Sequence, residues 1–283
     1  IMSDLKLVSK QYEGHKSEIS IGQETIGGSE LCLIAGPCAV ESEEQLFAIA
    51  KGVSDLGIKY MRGGAYKPRT SPYAFQGLGK QGLQLLKKAS ELYNVKIVTE
   101  VMDTSLIEEV YDYADILQVG SRNAKNYTFL KELGRIDKPI LLKRGMSSTI
   151  NEWLLAAEYI MLGGNENVIL CERGIRTFDT SVRNTMDLAA IPLVKELSHL
   201  PVIADPSQGT GKRSLVMPMS LAAIAAGADG VMLEVHNDPE EALSDGFQSL
   251  YLDNLTELIT GLKRQAVASG RSFNLKSIVK ETV

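Results

Sequence analysis

Short apolar runs recur along the chain at regular intervals. They fall near Leu31–Pro37, Lys59–Gly64, Lys96–Val101, Ile116–Gly120, Pro139–Lys143, Val168–Cys171, Pro201–Ala204 and Gly230–Val235. Each is followed by a stretch with helical spacing, as in Ser42–Leu56, Gly82–Tyr93, Thr149–Met161 and Leu255–Val267. Parallel strands covered on both faces read as nearly continuous apolar runs rather than alternating ones. Strands alternating with helices predict βαβ units and a parallel sheet. Eight units over about 240 residues predict an α/β fold, a closed (β/α)8 TIM barrel. An open doubly wound sheet is the competing layout, but Gly209-Thr210-Gly211 lacks the third glycine of a dinucleotide fingerprint. Ahead of the barrel, residues 1–30 carry two alternating runs, Leu5–Val8 and Glu18–Ile21. They predict a short β-hairpin extension, with the catalytic barrel over 31–283.

Composition narrows the function classes. Of 283 residues, 44% are hydrophobic and 23% charged, as in ordinary globular proteins. The net charge of −5 argues against nucleic acid or an anionic membrane as partner, so any anion site is local. No apolar run reaches the roughly 20 residues of a membrane span. Three cysteines, Cys32, Cys38 and Cys171, fit free thiols in a reducing cytoplasm. The start, Ile1-Met2-Ser3-Asp4, does not read as a signal peptide, and Ile1 reads as a remnant of processing or cloning. The tail Arg271–Val283 reads as a terminal extension or a contact with another subunit.

The densest chemistry lies in Arg62-Gly63-Gly64-Ala65-Tyr66-Lys67-Pro68-Arg69-Thr70-Ser71-Pro72. Cations on a backbone stiffened by proline and relieved by glycine suit phosphate or carboxylate, and two hydroxyls add donors. A solvated basic loop is the bland alternative. In a barrel, chemistry belongs at the C-terminal strand ends. Each apolar run ends there in unusual residues: Gly36-Pro37-Cys38; Arg62 and Lys67; Glu100; Ser121-Arg122-Asn123; Lys143-Arg144-Gly145; Glu172-Arg173-Gly174-Ile175-Arg176; Asp205-Pro206-Ser207-Gln208; Glu234-Val235-His236. Arg62, Lys67, Arg69, Arg122, Lys143 and Arg176 would repel one another around one mouth without anions. Either Glu100, Glu172 and Glu234 neutralise them, or the mouth binds phosphorylated acids. Cys38, Glu234 and Asp245 together suit a divalent transition metal. Singly, the cysteine reads as a small buried residue, Asp245 as a helix cap, and His236 as a core or second-layer histidine.

Several stretches together resemble one family. They are Ile34–Ser42, the basic stretch above, Leu141–Gly145, Ile169–Thr177, and Glu234-Val235-His236 with Ala242–Gly246. They are similar to the 3-deoxy-arabino-heptulosonate 7-phosphate synthases, in their compact barrel subgroup, over about residues 31–265. The resemblance implies condensation of phosphoenolpyruvate with erythrose 4-phosphate and release of phosphate, the first step of the shikimate pathway. It implies that Arg62, Lys67, Arg122, Lys143 and Arg176 hold phosphoenolpyruvate, and that Arg69 and Thr70 hold the aldehyde's phosphate. Ser71, Glu100 and Ser121 complete the candidate substrate set. Cys38, Glu234 and Asp245 would be ligands of a divalent metal such as Mn²⁺. Lys67, Cys38 and Asp205 are the candidate catalytic residues, with Lys67 taking part in proton transfer if its cationic neighbours depress its pKa.

One position departs from the pattern. The family's motif after the seventh strand resembles Asp-Pro-Ser-His, with the histidine as fourth metal ligand, and this chain has Gln208 there. An amide oxygen is a harder, poorer ligand than imidazole for transition metals. Gln208 therefore predicts retained chemistry with altered metal dependence; loss of the metal and outright inactivation are the alternatives. Relatives often carry an additional regulatory or chorismate mutase domain. About 30 residues form neither, which predicts no aromatic amino-acid inhibition through such a domain. A separate chorismate mutase partner is not visible in the sequence. The resemblance implies a homotetramer or homodimer, and Met217–Ala226 either supplies an interface or packs on the barrel. The nearest enzymatic rival is 3-deoxy-manno-octulosonate 8-phosphate synthase, which usually has Ala-Asn where this chain has the proline of Lys67-Pro68-Arg69. A catalytically silent barrel that binds phosphoenolpyruvate is the rival from another class.

Overall fold

Isoleucine alternation explains the first element. In the computed structural model, which describes residues 5–275, β1 (Ile19–Ile21) pairs antiparallel with β2 (Glu24–Ile26), Ile19 opposite Ile26. Their buried isoleucines join one cluster with Cys32, Ile34, Tyr60, Val98, Ile116, Leu141, Ile169, Cys171, Ile203 and Met232. That cluster is the barrel interior, so the hairpin plugs one end of it. The run Leu5–Val8 forms no strand. The backbone N–H groups of Lys6, Leu7 and Val8 instead donate to the Glu158 carboxylate at 3.2, 2.8 and 3.0 Å.

The eight apolar runs become β3 (Cys32–Gly36), β4 (Tyr60–Arg62), β5 (Lys96–Glu100), β6 (Ile116–Val119), β7 (Ile140–Lys143), β8 (Val168–Glu172), β9 (Val202–Ala204) and β10 (Gly230–His236). They pair in parallel in that order, and β10 returns to β3 with Gly230 opposite Cys32 and Glu234 opposite Gly36. Sequence and structure agree on a closed (β/α)8 barrel. Closure is tight at the mouth: a Cβ on Gly36 would lie 2.1 Å from the Arg62 carbonyl oxygen.

Helices follow the strands as α1 (Glu43–Asp55), α2 (Lys80–Tyr93), α3 (Ile107–Tyr113), α4 (Tyr127–Leu133), α5 (Ile150–Leu162), α6 (Ala190–Leu197), α7 (Pro206–Thr210), α8 (Arg213–Ala225) and α9 (Leu252–Ala268). Their starts are chemically marked. Ser42 accepts from the Gln45 N–H before α1, and Thr149 with Glu152 forms a reciprocal cap before α5. The second hydrophobic layer lies between strands and helices, where Leu33, Met61, Ile97 and Leu142 meet Leu46, Leu86, Phe129 and Trp153. A two-residue strand, β11 (Leu250–Tyr251), pairs in parallel beside the end of β10, Leu250 opposite Val235.

Phe273 is buried, and Arg271 pairs with Asp229 at 3.2 Å, so the start of the tail packs on its own barrel. The rest of the tail, 276–283, and the Ile1-Met2 start lie outside the described residues. Among the described residues, no helix is long and apolar enough to cross a membrane.

Candidate active site

Alternation along the strands builds the site. Side chains two residues apart share a face of a strand. The interior layer of Tyr60, Val98, Ile116, Leu141, Cys171, Ile203 and Met232 is apolar. Two residues further toward the C-terminal end stand Arg62, Glu100, Gln118, Lys143, Arg173, Asp205 and Glu234. Seven of the eight strands thus place an apolar residue inside the barrel and a polar one at its mouth; β3, with Ile34 inside, has Gly36 at the mouth position. The mouth opens into a cavity of about 350 Å³. Arg62, Lys67, Arg69, Thr70, Ser71, Glu100, Ser121, Arg122, Lys143 and Arg176 all line it, with Gln208 and Asp245 on one side. The structure adds Arg173, given no role from sequence beyond its place in a charged strand end, and Arg183 and Asn184, which sequence reading did not single out. Arg173 was legible in principle, since it follows Ile169 and Cys171 on the inward face of β8.

The carboxylates neutralise only part of this charge. Arg62 approaches Glu234 at 3.2 Å and Asp205 at 3.8 Å, and Lys143 donates to Asp205 at 2.6 Å. Glu172 turns away from the mouth, to Arg144 at 2.9 Å, and Glu100 accepts from Gln118 at 3.3 Å. Among the described residues, Arg69, Arg122, Arg173 and Arg176 have no ion pair. Among the described residues, buried N–H groups remain without hydrogen-bond acceptors: Arg62 Nη1, Arg69 Nη2, and Arg173 Nε and Nη1. Burial pulls Arg173 below the ordinary arginine value. Burial acts the same way on Arg62, but Glu234 and Asp205 outweigh it and push its pKa up. Such a wall of unmet donors suits an anion with several oxygens.

Lys67 folds back over Gly64, where a Cβ would sit 2.8 Å from its Cδ, and reaches the Cys38 carbonyl at 3.0 Å and thiol at 3.1 Å. The condition set for proton transfer at Lys67, a pKa depressed by its cationic neighbours, is not met. Burial lowers it and Arg62 adds to that, but Cys38 and Glu100 outweigh both and raise it. Lys67 is a fixed cation. Asp205 is fully buried and caps α7 by accepting from the Gln208 N–H at 2.9 Å. Burial alone would raise its pKa, but Lys143 and Arg62 hold it below the usual aspartate value.

Cys38, Glu234 and Asp245 converge as a cluster whose ligand atoms all lie within 4.8 Å of one another. A thiol and two carboxylates fit a divalent cation. Burial, with Glu234 nearby, pushes the Cys38 thiol up to about 12, so a thiolate there needs a cation beside it. Gln208 stands at the fourth position but presents its nitrogen, donating to Glu234 at 2.6 Å and Asp245 at 3.0 Å. Its oxygen accepts from Arg173 at 3.0 Å. His236 sits outside the cluster, bonded to Glu41 at 3.3 Å and to the Asp238 N–H at 3.0 Å.

Comparison with known proteins agrees with this geometry. Residues 9–268 match the family model described as the DAHP synthetase I family. The chain is 49% identical over 274 residues to the phospho-2-dehydro-3-deoxyheptonate aldolase of Thermotoga maritima, covering 97% of this chain and 81% of that one. It is 32% identical to the 2-dehydro-3-deoxyphosphooctonate aldolase of Geobacter sulfurreducens, over 87% of this chain and 96% of that one. The crystal structure of the Thermotoga maritima aldolase superposes with a TM-score of 0.93 over 96% of this chain and 79% of that chain. A truncated form of the Thermotoga maritima 3-deoxy-D-arabino-heptulosonate 7-phosphate synthase gives 0.89 at 46% identity, over 95% of this chain and 99% of that one. The chain belongs to the DAHP synthetase I family.

Proposed function

We propose that the chain is a 3-deoxy-7-phosphoheptulonate synthase, condensing phosphoenolpyruvate with erythrose 4-phosphate. A carbon–carbon bond joins C3 of phosphoenolpyruvate to the aldehyde carbon, one water is consumed, and inorganic phosphate leaves. The observation that carries this reading is the cavity wall of arginines and lysines with unmet donors. Arg62, Lys67, Arg122, Lys143 and Arg176, now joined by Arg173, hold the carboxylate and phosphate of phosphoenolpyruvate. Arg69, Thr70 and Ser71 hold the phosphate of the aldose, and Glu100 and Ser121 border the space between. Fixing two anions in one cavity removes much of the entropic barrier to a bimolecular step. Asp205 holds Lys143 in place through their 2.6 Å contact. Cys38, Glu234 and Asp245 would hold a divalent metal such as Mn²⁺, which when bound supplies a Lewis acid for the aldehyde oxygen. Lys67 supplies fixed positive charge beside the thiol.

The heptulosonate reading is supported over the octulosonate one by the higher identity to the heptonate aldolase and by Pro68 in the basic stretch. Residues 31–283 form the catalytic barrel in this reading, with 1–30 as its extension. A homotetramer or homodimer is supported by the groove beside Met217 and Pro218 of α8, where Phe247 is 62% exposed. A cytoplasmic location is supported by three free, buried cysteines.

The test is phosphate release from phosphoenolpyruvate with erythrose 4-phosphate or arabinose 5-phosphate, in EDTA and with added Mn²⁺. Release with erythrose 4-phosphate, strongest with metal, is expected. Preference for arabinose 5-phosphate would make the chain an octulosonate enzyme. Phosphoenolpyruvate binding without release in any condition would make it a silent barrel.

A further inference from the structure

Every carboxylate oxygen of Glu234 and Asp245, which cluster with Cys38, has a hydrogen-bond partner. Glu234 Oε1 accepts from Gln208 at 2.6 Å and lies 3.2 Å from Arg62, while its Oε2 accepts from Gln248 at 2.5 Å. Asp245 Oδ2 accepts from Gln208 at 3.0 Å and from the Cys38 thiol at 3.3 Å, and Oδ1 accepts from Arg183 at 3.3 Å. One amide nitrogen therefore ties the β10 carboxylate to a carboxylate on the following loop. Asp245 itself stands at φ 54°, in the left-handed region that aspartate visits more readily than most residues.

An amide has two unlike ends. For Gln208 to ligate a cation, its oxygen must turn inward. The turn breaks both hydrogen bonds donated to carboxylates and the one accepted from Arg173. Hydrogen bonds to charged partners in a buried setting are among the stronger ones. Imidazole at this position would offer a lone pair to a cation without that exchange.

We propose that Gln208 is an internal stand-in for the metal: its amide nitrogen holds Glu234 and Asp245 together when no cation is bound, and it competes with cation binding. The proposal rests on the reading that Cys38, Glu234 and Asp245 can hold a divalent metal. It makes the barrel mouth organised without metal and the metal weakly held.

Two measurements test it, neither of them activity. The first is the melting temperature in EDTA of the full chain, Gln208→Leu and Gln208→Glu. Loss of the bridging donor is expected to lower it by several degrees in Gln208→Leu, and further in Gln208→Glu, which adds a third carboxylate. An unchanged melting temperature in Gln208→Leu overturns the proposal. Partial recovery of Gln208→Glu on adding Mn²⁺, with little shift in the parent chain, supports it and shows that the variant folds.

The second is Mn²⁺ affinity by calorimetry or electron paramagnetic resonance. Gln208→His is expected to bind about tenfold more tightly or better. Equal affinity in the parent chain and Gln208→His overturns the proposal. If Gln208→His and the parent both fail to bind Mn²⁺, the competition clause is overturned together with the metal reading. The EDTA melting series alone then decides whether the amide bridge holds the two carboxylates.

Discussion

Two regions a few ångströms apart at the barrel mouth solve opposite problems. The cavity wall carries arginines with N–H groups that lack acceptors among the described residues, Arg173 being buried with Nε and Nη1 unmet. The acidic cluster behind it is fully satisfied, down to each carboxylate oxygen of Glu234 and Asp245. Unmet donors are stored binding capacity, since they raise the free energy of the empty site and recover it when an anion arrives. Satisfied acceptors are stored order, since they hold geometry but resist a newcomer. Gln208 touches both regions, its oxygen on Arg173 and its nitrogen on the carboxylates.

The largest effect is expected where the two regions share a buried charge. Asp205 pairs with Lys143 at 2.6 Å, lies 3.8 Å from Arg62 and caps α7. Asp205→Ala would strand Lys143 in the interior at a cost of about 3–5 kcal/mol. Denaturant unfolding measures this. Because the folded state holds the Asp205 pKa below the usual value, its contribution is present above the unfolded value of about 3.9. It is lost as pH falls through the lowered folded value. Parent and variant stabilities should therefore converge at low pH, and a constant gap down to acid would contradict the assignment.

Arg173→Met should separate function from stability. It removes a buried cation with unmet donors, so the melting temperature of the free protein is expected to hold or rise. Each lost hydrogen bond to a charged ligand is worth about 1.5–3 kcal/mol, so kcat/KM for phosphoenolpyruvate should fall about 10²-fold. A stability loss like that of Asp205→Ala would mean that Arg173 is structural and that the wall stores no binding capacity there.

A smaller effect is expected at Glu41, which accepts from the Leu243 N–H at 3.0 Å and from His236 at 3.3 Å. It ties the loop bearing Asp245 to the loop after β3. Glu41→Gln keeps one acceptor and should cost about 1 kcal/mol of stability, with a few-fold weaker Mn²⁺ binding.

The barrel was legible in sequence because each strand is covered on both faces, so apolar runs mark strands without ambiguity. The run Leu5–Val8 misled because its alternation serves a different purpose: Leu5 and Val8 pack into the outer core while Glu158 takes the backbone donors. Arg173 was hidden in Glu172-Arg173-Gly174-Ile175-Arg176, where charge marks a strand end but not which side chain faces inward. The inward phase follows from Ile169 and Cys171 once the interior layer is known. The orientation of the Gln208 amide could not be read from sequence, because it depends on Arg173 and Asp245, which come from other strand ends. The Lys67 pKa failed similarly: the cationic neighbours were visible in the chain, while Cys38 and Glu100 reach it only through the fold.

The smallest expected effect is at Lys67, and it distinguishes a fixed cation from a proton carrier. Because Cys38 and Glu100 outweigh burial, the folded state raises its pKa. A raised lysine contributes stability fully below its unfolded value of about 10.4, and that contribution is lost only as pH rises through the higher folded value. Phosphoenolpyruvate affinity, measured in EDTA so that metal does not intrude, should therefore show no loss attributable to Lys67 between about pH 7 and 9. Lys67→Arg, whose charge persists throughout, should trace a parallel profile even if its affinity is lower. If affinity in the parent chain fell away across that range while Lys67→Arg stayed level, Lys67 would be releasing its proton within the working range. The anion cavity would then hold a group poised for proton transfer, and the division between a cavity of fixed cations and a separately ordered acidic cluster would not stand.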